Sequence, residues 1–202
     1  MTRPLLLATR SEGKLRELRR LFEARGLGVI DLRMAGLAET PAEDDLEQFE
    51  SFEENALAKG RYFAGLSELP VVADDSGLEV RILNGAPGVR SKRWSGRVDL
   101  TGDALDAANN ALLLRSLAAA SNRAARYVCA AAFVDGPREI VRRGEVTGRI
   151  TLLPRGSGGF GYDPYFESDE LARTFGEVPT SEKEQVSHRA RAFRALIDDI
   201  GG

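Results

Sequence analysis

Two adjacent carboxylates, Asp74 and Asp75, follow directly on an apolar segment in the stretch VVADDSGLEV, residues 71–80. Clustered carboxylates suit Mg²⁺, which prefers hard oxygen ligands, and one of the pair could be the base that activates a water molecule. We expect the pair at the C-terminal end of a strand, where neighbouring side chains point to opposite faces and both can border a cleft. The alternative is that residues 74–77 form an ordinary β-turn, because Asp, Ser and Gly favour turns.

A second group of carboxylates lies between Glu43 and Glu54, in a segment that we interpret as an acidic loop followed by the start of a helix. Most of these side chains must belong to a solvated surface, because runs of charge usually do. Only one or two of them could reach a metal ion shared with Asp75.

The stretch ATRSEGK, residues 8–14, leads from a predicted strand into a predicted helix. Backbone N–H groups at a helix start favour anions, and Lys14 places a positive charge there against the helix dipole. This combination indicates an anionic ligand, although the pattern differs from the G-x-x-x-x-G-K-[ST] phosphate loop. The alternative is an ordinary strand–helix connection with a solvent-facing lysine.

The stretch GSGGFGYDP, residues 156–164, combines closely spaced glycines with two aromatic residues. Phe160 and Tyr162 offer flat faces on which a nucleobase could stack. The alternative is a surface loop whose two aromatic rings pack into the core. In the stretch SEKEQVSHRARAF, Lys183, Arg189 and the only histidine, His188, supply hydrogen-bond donors suited to phosphate or base oxygens.

The elements that must position these residues indicate a mixed α/β fold in one domain, residues 1–202. Apolar runs predict strands at residues 4–9, 27–32, 70–75 and 78–83 and a hairpin that turns at Gly136-Pro137. Helical spacing and capping boxes predict helices at residues 12–26, from 52 to about 66, at 103–118, and from Ser181 to the C-terminus.

The composition excludes several classes of partner. A net charge of −3 gives no strong electrostatic basis for binding nucleic acid or a membrane surface. The lone Cys129 excludes an internal disulfide framework and fits a reducing compartment. No apolar run approaches the roughly 20 residues of a membrane span, and the N-terminal run is too short for a signal peptide. We therefore expect a cytoplasmic protein.

Five segments, in chain order, resemble motifs of the inosine triphosphate pyrophosphatase family, the noncanonical purine NTP pyrophosphatases. They are ATRSEGKLREL, SFEENALAKG, VVADDSGLEV followed by NGAPGVRSKRWSG, GSGGFGYDPYF, and EKEQVSHRARAF. One difference is Ser11, which stands where the family usually has Asn and offers a shorter side chain with a single hydroxyl group.

This resemblance implies a long mixed β-sheet flanked by helices, in two lobes with an active-site cleft between them. It also implies hydrolysis of ITP, dITP and XTP to the nucleoside monophosphate and pyrophosphate, a requirement for Mg²⁺, and a homodimer. We hypothesise that Asp75 is the proton acceptor and a metal ligand, that Glu47 is a further metal ligand, and that Asp74 helps to hold the metal.

The resemblance also implies a set of substrate-binding residues. Residues Thr9, Arg10, Ser11, Glu12, Gly13 and Lys14 would hold the triphosphate, with Lys14 as the main cation. Ser76 would contact the substrate. Phe160, Gly161, Tyr162 and Asp163 would contact the nucleoside, with Phe160 as a stacking face. Lys183, His188 and Arg189 would read the base or hold phosphate.

Two alternative functions remain open at this point. One is a Maf-like pyrophosphatase acting on pyrimidine or modified nucleotides, although the chain carries motifs that Maf-type enzymes lack. The other is a nucleotide-binding sensor without hydrolytic activity. The presence of both Asp74 and Asp75, together with a full set of cations, disfavours a sensor.

Overall fold

The computed structural model describes residues 3–201. Its strands are β1 (Leu5–Ala8), β2 (Val29–Asp31), β3 (Val71–Val80), β4 (Ala124–Asp135), β5 (Arg138–Ile150) and β6 (Phe166–Ser168). Its helices are α1 (Glu12–Glu23), α2 (Phe52–Ser67), α3 (Gly102–Ser116), α4 (Thr180–Val186) and α5 (His188–Ile200). None of the helices in this part of the chain is both long and apolar enough to cross a membrane.

The strands form one six-stranded mixed sheet in the order β2-β1-β3-β4-β5-β6, which confirms the predicted α/β class. Strand β1 is parallel to both β2 and β3, whereas β5 and β6 are antiparallel. The register pairs Ala8 with Ala73, so that the residues following β1 emerge beside the Asp74-Asp75 segment of β3. The sheet therefore brings the predicted anion-binding turn next to the predicted carboxylates.

Strand β3 differs from the prediction of two strands, at residues 70–75 and 78–83. It runs without interruption through all ten residues, and Asp74 and Asp75 lie in its middle rather than at its C-terminal end. Both side chains are buried, with exposures of 0% and 4%. The β-turn alternative is therefore wrong, because partners distant in sequence allow the strand to continue through these two charges.

The helices follow the predicted positions, with two corrections near the C-terminus. The Ser51 side chain accepts the Glu54 N–H at 3.2 Å and donates to its carboxylate, which confirms the predicted cap of α2. The predicted cap at Ser181 is wrong, since α4 begins at Thr180 after Pro179. The C-terminal segment also forms two helices, because Ser187 adopts an extended conformation.

The chain divides into two compact units. Unit 1 contains Met1–Asp75, Cys129–Gly144 and His188–Gly202, and unit 2 contains Ser76–Val128 and Glu145–Ser187. Phe22 of α1 packs edge-on against Phe193 of α5 in the core of unit 1, with ring centroids 5.9 Å apart. Phe166 and Phe175 are fully buried in the core of unit 2. The single domain and the active-site cleft stay predictions.

Candidate active site

The turn between β1 and α1 is held by its own hydroxyl groups. Ser11 is the N-cap of α1, and its Oγ accepts the Lys14 N–H at 3.4 Å. The Ser11 N–H in turn donates to Oγ1 of Thr9, which is buried. Serine caps helices about as well as asparagine, so the residue at position 11 is suited to this turn. Glu12 and Gly13 form the first turn of α1.

Asp74 lies in unit 1 among cations from three separate parts of the chain. Its Oδ2 is 2.9 Å from Lys14 Nζ and 3.3 Å from Arg189 Nε, and its backbone oxygen accepts a hydrogen bond from Lys59 Nζ at 2.8 Å. Burial alone would raise the pKa of this carboxyl group. The charges of Lys14, Arg189 and Lys59 outweigh burial and hold the pKa below its usual range, so that Asp74 is ionised.

Arg189 lies between two carboxylates and is only 3% exposed. Its Nη1 is 2.5 Å from Oε2 of Glu17, and its Nε contacts Asp74. Burial would lower the pKa of the guanidinium group, but the carboxylates of Glu17 and Asp74 reverse this effect and raise it. The guanidinium group, which we expected to read the base or hold phosphate, is thus used within unit 1 to balance buried charge.

Asp75 has an electrostatic environment opposite to that of Asp74. Burial, followed by the negative charge of Glu47, raises the pKa of Asp75 to about 6. Lys14, Lys59 and a hydrogen bond from Asn55 act in the other direction. Asn55 Nδ2 donates to the Asp75 Oδ2 atom at 2.9 Å. Asp75 is therefore a fixed carboxylate whose pKa lies closer to neutral pH than that of an ordinary aspartate.

Asn55 and Lys59 connect Asp75 to the acidic segment that contains Glu47. Asn55 is fully buried and binds both the N–H and the carbonyl oxygen of Phe49, at 2.9 and 3.2 Å. Lys59 forms an ion pair with Glu47. We did not assign either residue from sequence. Both lie in the stretch SFEENALAKG, and its resemblance to a family motif is the signal that could have revealed them.

The donor set around Asp75 fits Mg²⁺. Within residues 3–201 there is no group of three or more His, Cys, Asp or Glu side chains arranged to hold a metal ion. Mg²⁺ does not require such a group, since it commonly binds through one or two carboxylates plus substrate phosphates and water. Asp75 and Glu47 are close enough for the charge of one to raise the pKa of the other, and a divalent cation would offset this repulsion.

The predicted nucleoside-binding loop lies in unit 2, where Asp163 organises it. Asp163 Oδ2 accepts the Phe160 N–H at 3.0 Å and contacts Lys183 Nζ at 2.7 Å. The same Nζ lies 5.1 Å from the centroid of the Phe160 ring, within the range of a cation–π contact. The structure thus brings together Phe160, Asp163 and Lys183, which the sequence placed in two separate motifs.

The two aromatic residues of this loop have different environments. The ring of Phe160 is half-buried, whereas Tyr162 is 4% exposed and belongs to the core of unit 2. The Tyr162 hydroxyl group donates to the Ser91 carbonyl oxygen at 2.8 Å, and burial raises its pKa. The prediction that Tyr162 offers an open stacking face is therefore wrong, and the alternative of core packing holds for this residue.

The remaining predicted site residues are Arg10 and His188 in unit 1 and Ser76 in unit 2. Arg10 is paired with Glu43 at 2.8 Å and also binds the Leu37 carbonyl oxygen. Ser76 is half-buried in β3, and His188 is a buried residue at the start of α5. Their proposed contacts with substrate stay predictions.

Comparisons with known proteins agree on one family. A sequence model of the Ham1 family matches residues 5–199. A dITP/XTP pyrophosphatase of Mycolicibacterium paratuberculosis is 51% identical over 198 residues, which cover 96% of this chain and 94% of that protein. A protein of the same name from Frankia alni is 48% identical over 95% of this chain and 94% of its own length. The solved structure of a HAM1 protein from Coxiella burnetii has a TM-score of 0.84 at 33% identity and covers 99% of both chains.

Proposed function

The chain belongs to the Ham1 family, and we propose that it hydrolyses noncanonical purine nucleoside triphosphates to the nucleoside monophosphate and pyrophosphate. ITP, dITP and XTP are the expected substrates. The relatives named dITP/XTP pyrophosphatase support this reaction. They give no support to the alternative of a Maf-like enzyme acting on pyrimidine nucleotides.

The observation that carries this proposal is the environment of the Asp75 carboxyl group. It is 4% exposed, and a hydrogen bond from Asn55 Nδ2 fixes its position. A general base must be held within hydrogen-bond reach of the proton that it accepts. We infer that Asp75 accepts the proton of the water molecule that attacks the α-phosphorus.

The cations around Asp75 support an assignment of phosphate binding to unit 1. Lys14 and Lys59 both act on the Asp75 carboxylate, and backbone N–H groups at the start of α1 favour an anion. Glu47 and Asp75 would hold Mg²⁺, which when bound offsets negative charge on phosphate oxygens. Asp74 Oδ2 accepts from both Lys14 and Arg189, so the role we propose for Asp74 is to fix the cations rather than the metal.

The loop of unit 2 supports an assignment of nucleoside binding. The half-buried ring of Phe160 offers one face to a purine, and stacking on an aromatic side chain is worth roughly 1–3 kcal/mol per base. Lys183 and Asp163 fix the position of this ring. Recognition of the base by Lys183, His188 or Arg189 stays a prediction.

A pyrophosphate-release assay with ITP, XTP, dTTP and UTP, each with and without Mg²⁺, tests the proposal. We expect turnover of ITP and XTP that depends on Mg²⁺. Preferential turnover of dTTP or UTP would favour the Maf-like alternative, and binding of ITP without turnover would favour a sensor. Activity that survives removal of divalent cations by EDTA would remove Mg²⁺ from the proposal.

The homodimer and the cytoplasmic location stay predictions. Light scattering of the purified chain tests the first, with a mass of twice 22.0 kDa as the expected result. A mass of 22.0 kDa at assay concentrations would contradict it.

A further inference from the structure

Two side chains of α3 bind both backbone polar groups of Gly161, the residue that follows Phe160. Asp106 Oδ2 accepts the Gly161 N–H at 2.7 Å, and Asn110 Nδ2 donates to the Gly161 carbonyl oxygen at 2.9 Å. Asp106 and Asn110 are four residues apart, which places them on one face of the helix. Asn110 Nδ2 also donates to the Asp106 carbonyl oxygen at 2.9 Å. Helix α3 thus binds the N–H and the carbonyl oxygen of Gly161 through two side chains on one of its faces.

Packing alone does not hold this part of the loop. A cavity of about 490 Å³, lined by residues of α3 and of the loop, lies beside Gly161. A Cβ atom added at Gly161 would meet no atom within 4 Å. The backbone at Gly161 has φ +63°, a conformation that glycine adopts readily and other residues rarely do. The backbone at Gly161 therefore has free space beside it, and the hydrogen bonds from α3 help to fix it next to the buried Tyr162.

The position of Gly161 determines the position of the Phe160 ring. Phe160 lies between the backbone contact to Asp163 and the two contacts that α3 makes with Gly161. Its ring is half-buried against the Lys183 ammonium group on one side. A change in the backbone at Gly161 would tilt the face on which a purine would stack.

We propose that Asp106 and Asn110 are positioning residues for nucleoside binding, which hold the Phe160 ring in the orientation that stacks on the base. This inference rests on the proposed function. The two residues act on substrate affinity through Gly161 and do not touch the phosphates or the attacked phosphorus atom. The competing explanation is that they only stabilise the fold of unit 2.

The test is steady-state kinetics of ITP hydrolysis with Asp106→Ala, Asn110→Ala and the double variant. Loss of one such hydrogen bond is expected to raise KM about 3- to 10-fold, and loss of both about 10- to 100-fold. We expect kcat to stay within about threefold of the wild-type value, because the carboxylate cluster is unchanged. Asp106→Asn keeps an acceptor oxygen for the Gly161 N–H and is expected to restore most of the affinity.

Three controls distinguish positioning from general loss of stability. Asp103→Ala removes an exposed carboxylate that lines the same cavity one turn earlier on α3, and it is expected to leave KM unchanged. Inhibition by inorganic tripolyphosphate, which has no nucleoside, is expected to have the same Ki in wild type and variants. Thermal unfolding of every variant shows whether the fold is retained, and Asp106→Asn serves as the test if the alanine variants unfold.

The outcomes separate this inference from the proposed function. Wild-type turnover of ITP combined with an unchanged KM in the variants would overturn the positioning role alone. Equal weakening of ITP and tripolyphosphate binding would overturn it in favour of a purely structural role. Absence of ITP turnover by the wild-type protein would overturn both the proposed function and this inference.

Discussion

The carboxylate cluster of unit 1 and the Phe160 loop of unit 2 are fixed in different ways. In the cluster, charged groups hold each other, as Asp74 does with Lys14 and Arg189. In the loop, hydrogen bonds to the backbone of Gly161 hold a segment that has free space beside it. Removal of one partner from a buried ion pair lowers the free energy of unfolding by several kcal/mol, whereas a hydrogen bond contributes about 1 kcal/mol. We therefore expect large effects on rate and stability in the cluster and smaller effects on affinity in the loop.

A second contrast lies within the cluster, between consecutive residues of one strand. The pKa of Asp74 is lowered by its neighbouring cations, while the pKa of Asp75 is raised by burial and by Glu47. Groups whose environments push their pKa values apart commonly have different roles. Asp74 is suited to hold cations permanently, and Asp75 is suited to exchange a proton.

The largest effect is expected for Asp75→Asn. The amide cannot accept a proton, and general-base catalysis alone contributes about 10²- to 10⁴-fold. With loss of a proposed metal ligand in addition, we expect kcat for ITP to fall about 10³-fold or more. Pyrophosphate release measures this fall, and thermal unfolding shows whether the variant is folded. Turnover near the wild-type rate would remove Asp75 from the role of base and erase its contrast with Asp74.

The next effect is a loss of stability in Asp74→Asn. Removal of this charge takes the buried ion-pair partner from Lys14 and leaves Arg189 with Glu17 alone, and breaking a buried ion pair typically costs about 3–5 kcal/mol. Urea unfolding in the absence of nucleotide measures the free energy of unfolding. The matched control is Asp44→Asn, an exposed aspartate of the acidic segment, which is expected to change stability by less than about 0.5 kcal/mol. Equal stability of the two variants would contradict the role assigned to Asp74.

These contrasts also explain how far the sequence could predict the structure. Local signals were sufficient for β1, α1 and α2, because apolar spacing and the cap at Ser51 act within a few residues. They failed at β3, because the burial of Asp74 depends on Arg189, which is 115 residues away in the chain. A polar pair followed by Ser and Gly resembles a turn until those distant partners are known.

Several charged residues of the candidate site were predictable, whereas Lys59 and the neutral side chains of the site were missed. Asp75, Glu47 and Lys14 stand out by charge and motif, and the structure brings them together. Asn55 and Asn110 are neutral, and their importance comes from backbone groups that they bind elsewhere in the chain. Which backbone group lies within reach of an amide is a property of tertiary structure, so spacing alone could not identify it.

A moderate effect on affinity is expected for Phe160→Ala. Loss of a stacking face worth roughly 1–3 kcal/mol would raise KM for ITP about 5- to 150-fold, with kcat little changed. Phe160→Trp keeps an aromatic face and is expected to retain affinity. Leu153→Ala, which removes an exposed apolar side chain from the same part of unit 2, is the matched control. A fall in kcat as large as that in Asp75→Asn would break the proposed division between rate and affinity.

The smallest effect is a dependence of stability on pH that comes from Asp75. Its pKa of about 6 in the folded protein lies above the ordinary value of 3.8, so the folded state binds the proton more tightly than the unfolded state does. The free energy of unfolding must therefore fall as pH rises from 3.8 through about 6. Between pH 5 and pH 7 the stabilising contribution of Asp75 decreases by about 1 kcal/mol.

Asp75→Asn removes this contribution. The unfolding free energies of the wild-type protein and of the variant are measured in EDTA as a function of pH, and their difference isolates the contribution of Asp75 from those of other titrating groups. The unfolding free energy of the wild-type protein is expected to fall more steeply with pH than that of the variant. Saturating Mg²⁺ is expected to abolish this difference in slope, because a cation beside Asp75 lowers its pKa. Parallel curves for wild type and Asp75→Asn in EDTA would show that the pKa of Asp75 is not raised in the folded protein, and would contradict its contrast with Asp74. A slope that persists in Mg²⁺ would instead place the metal away from Asp75, while leaving the contrast between the two aspartates intact.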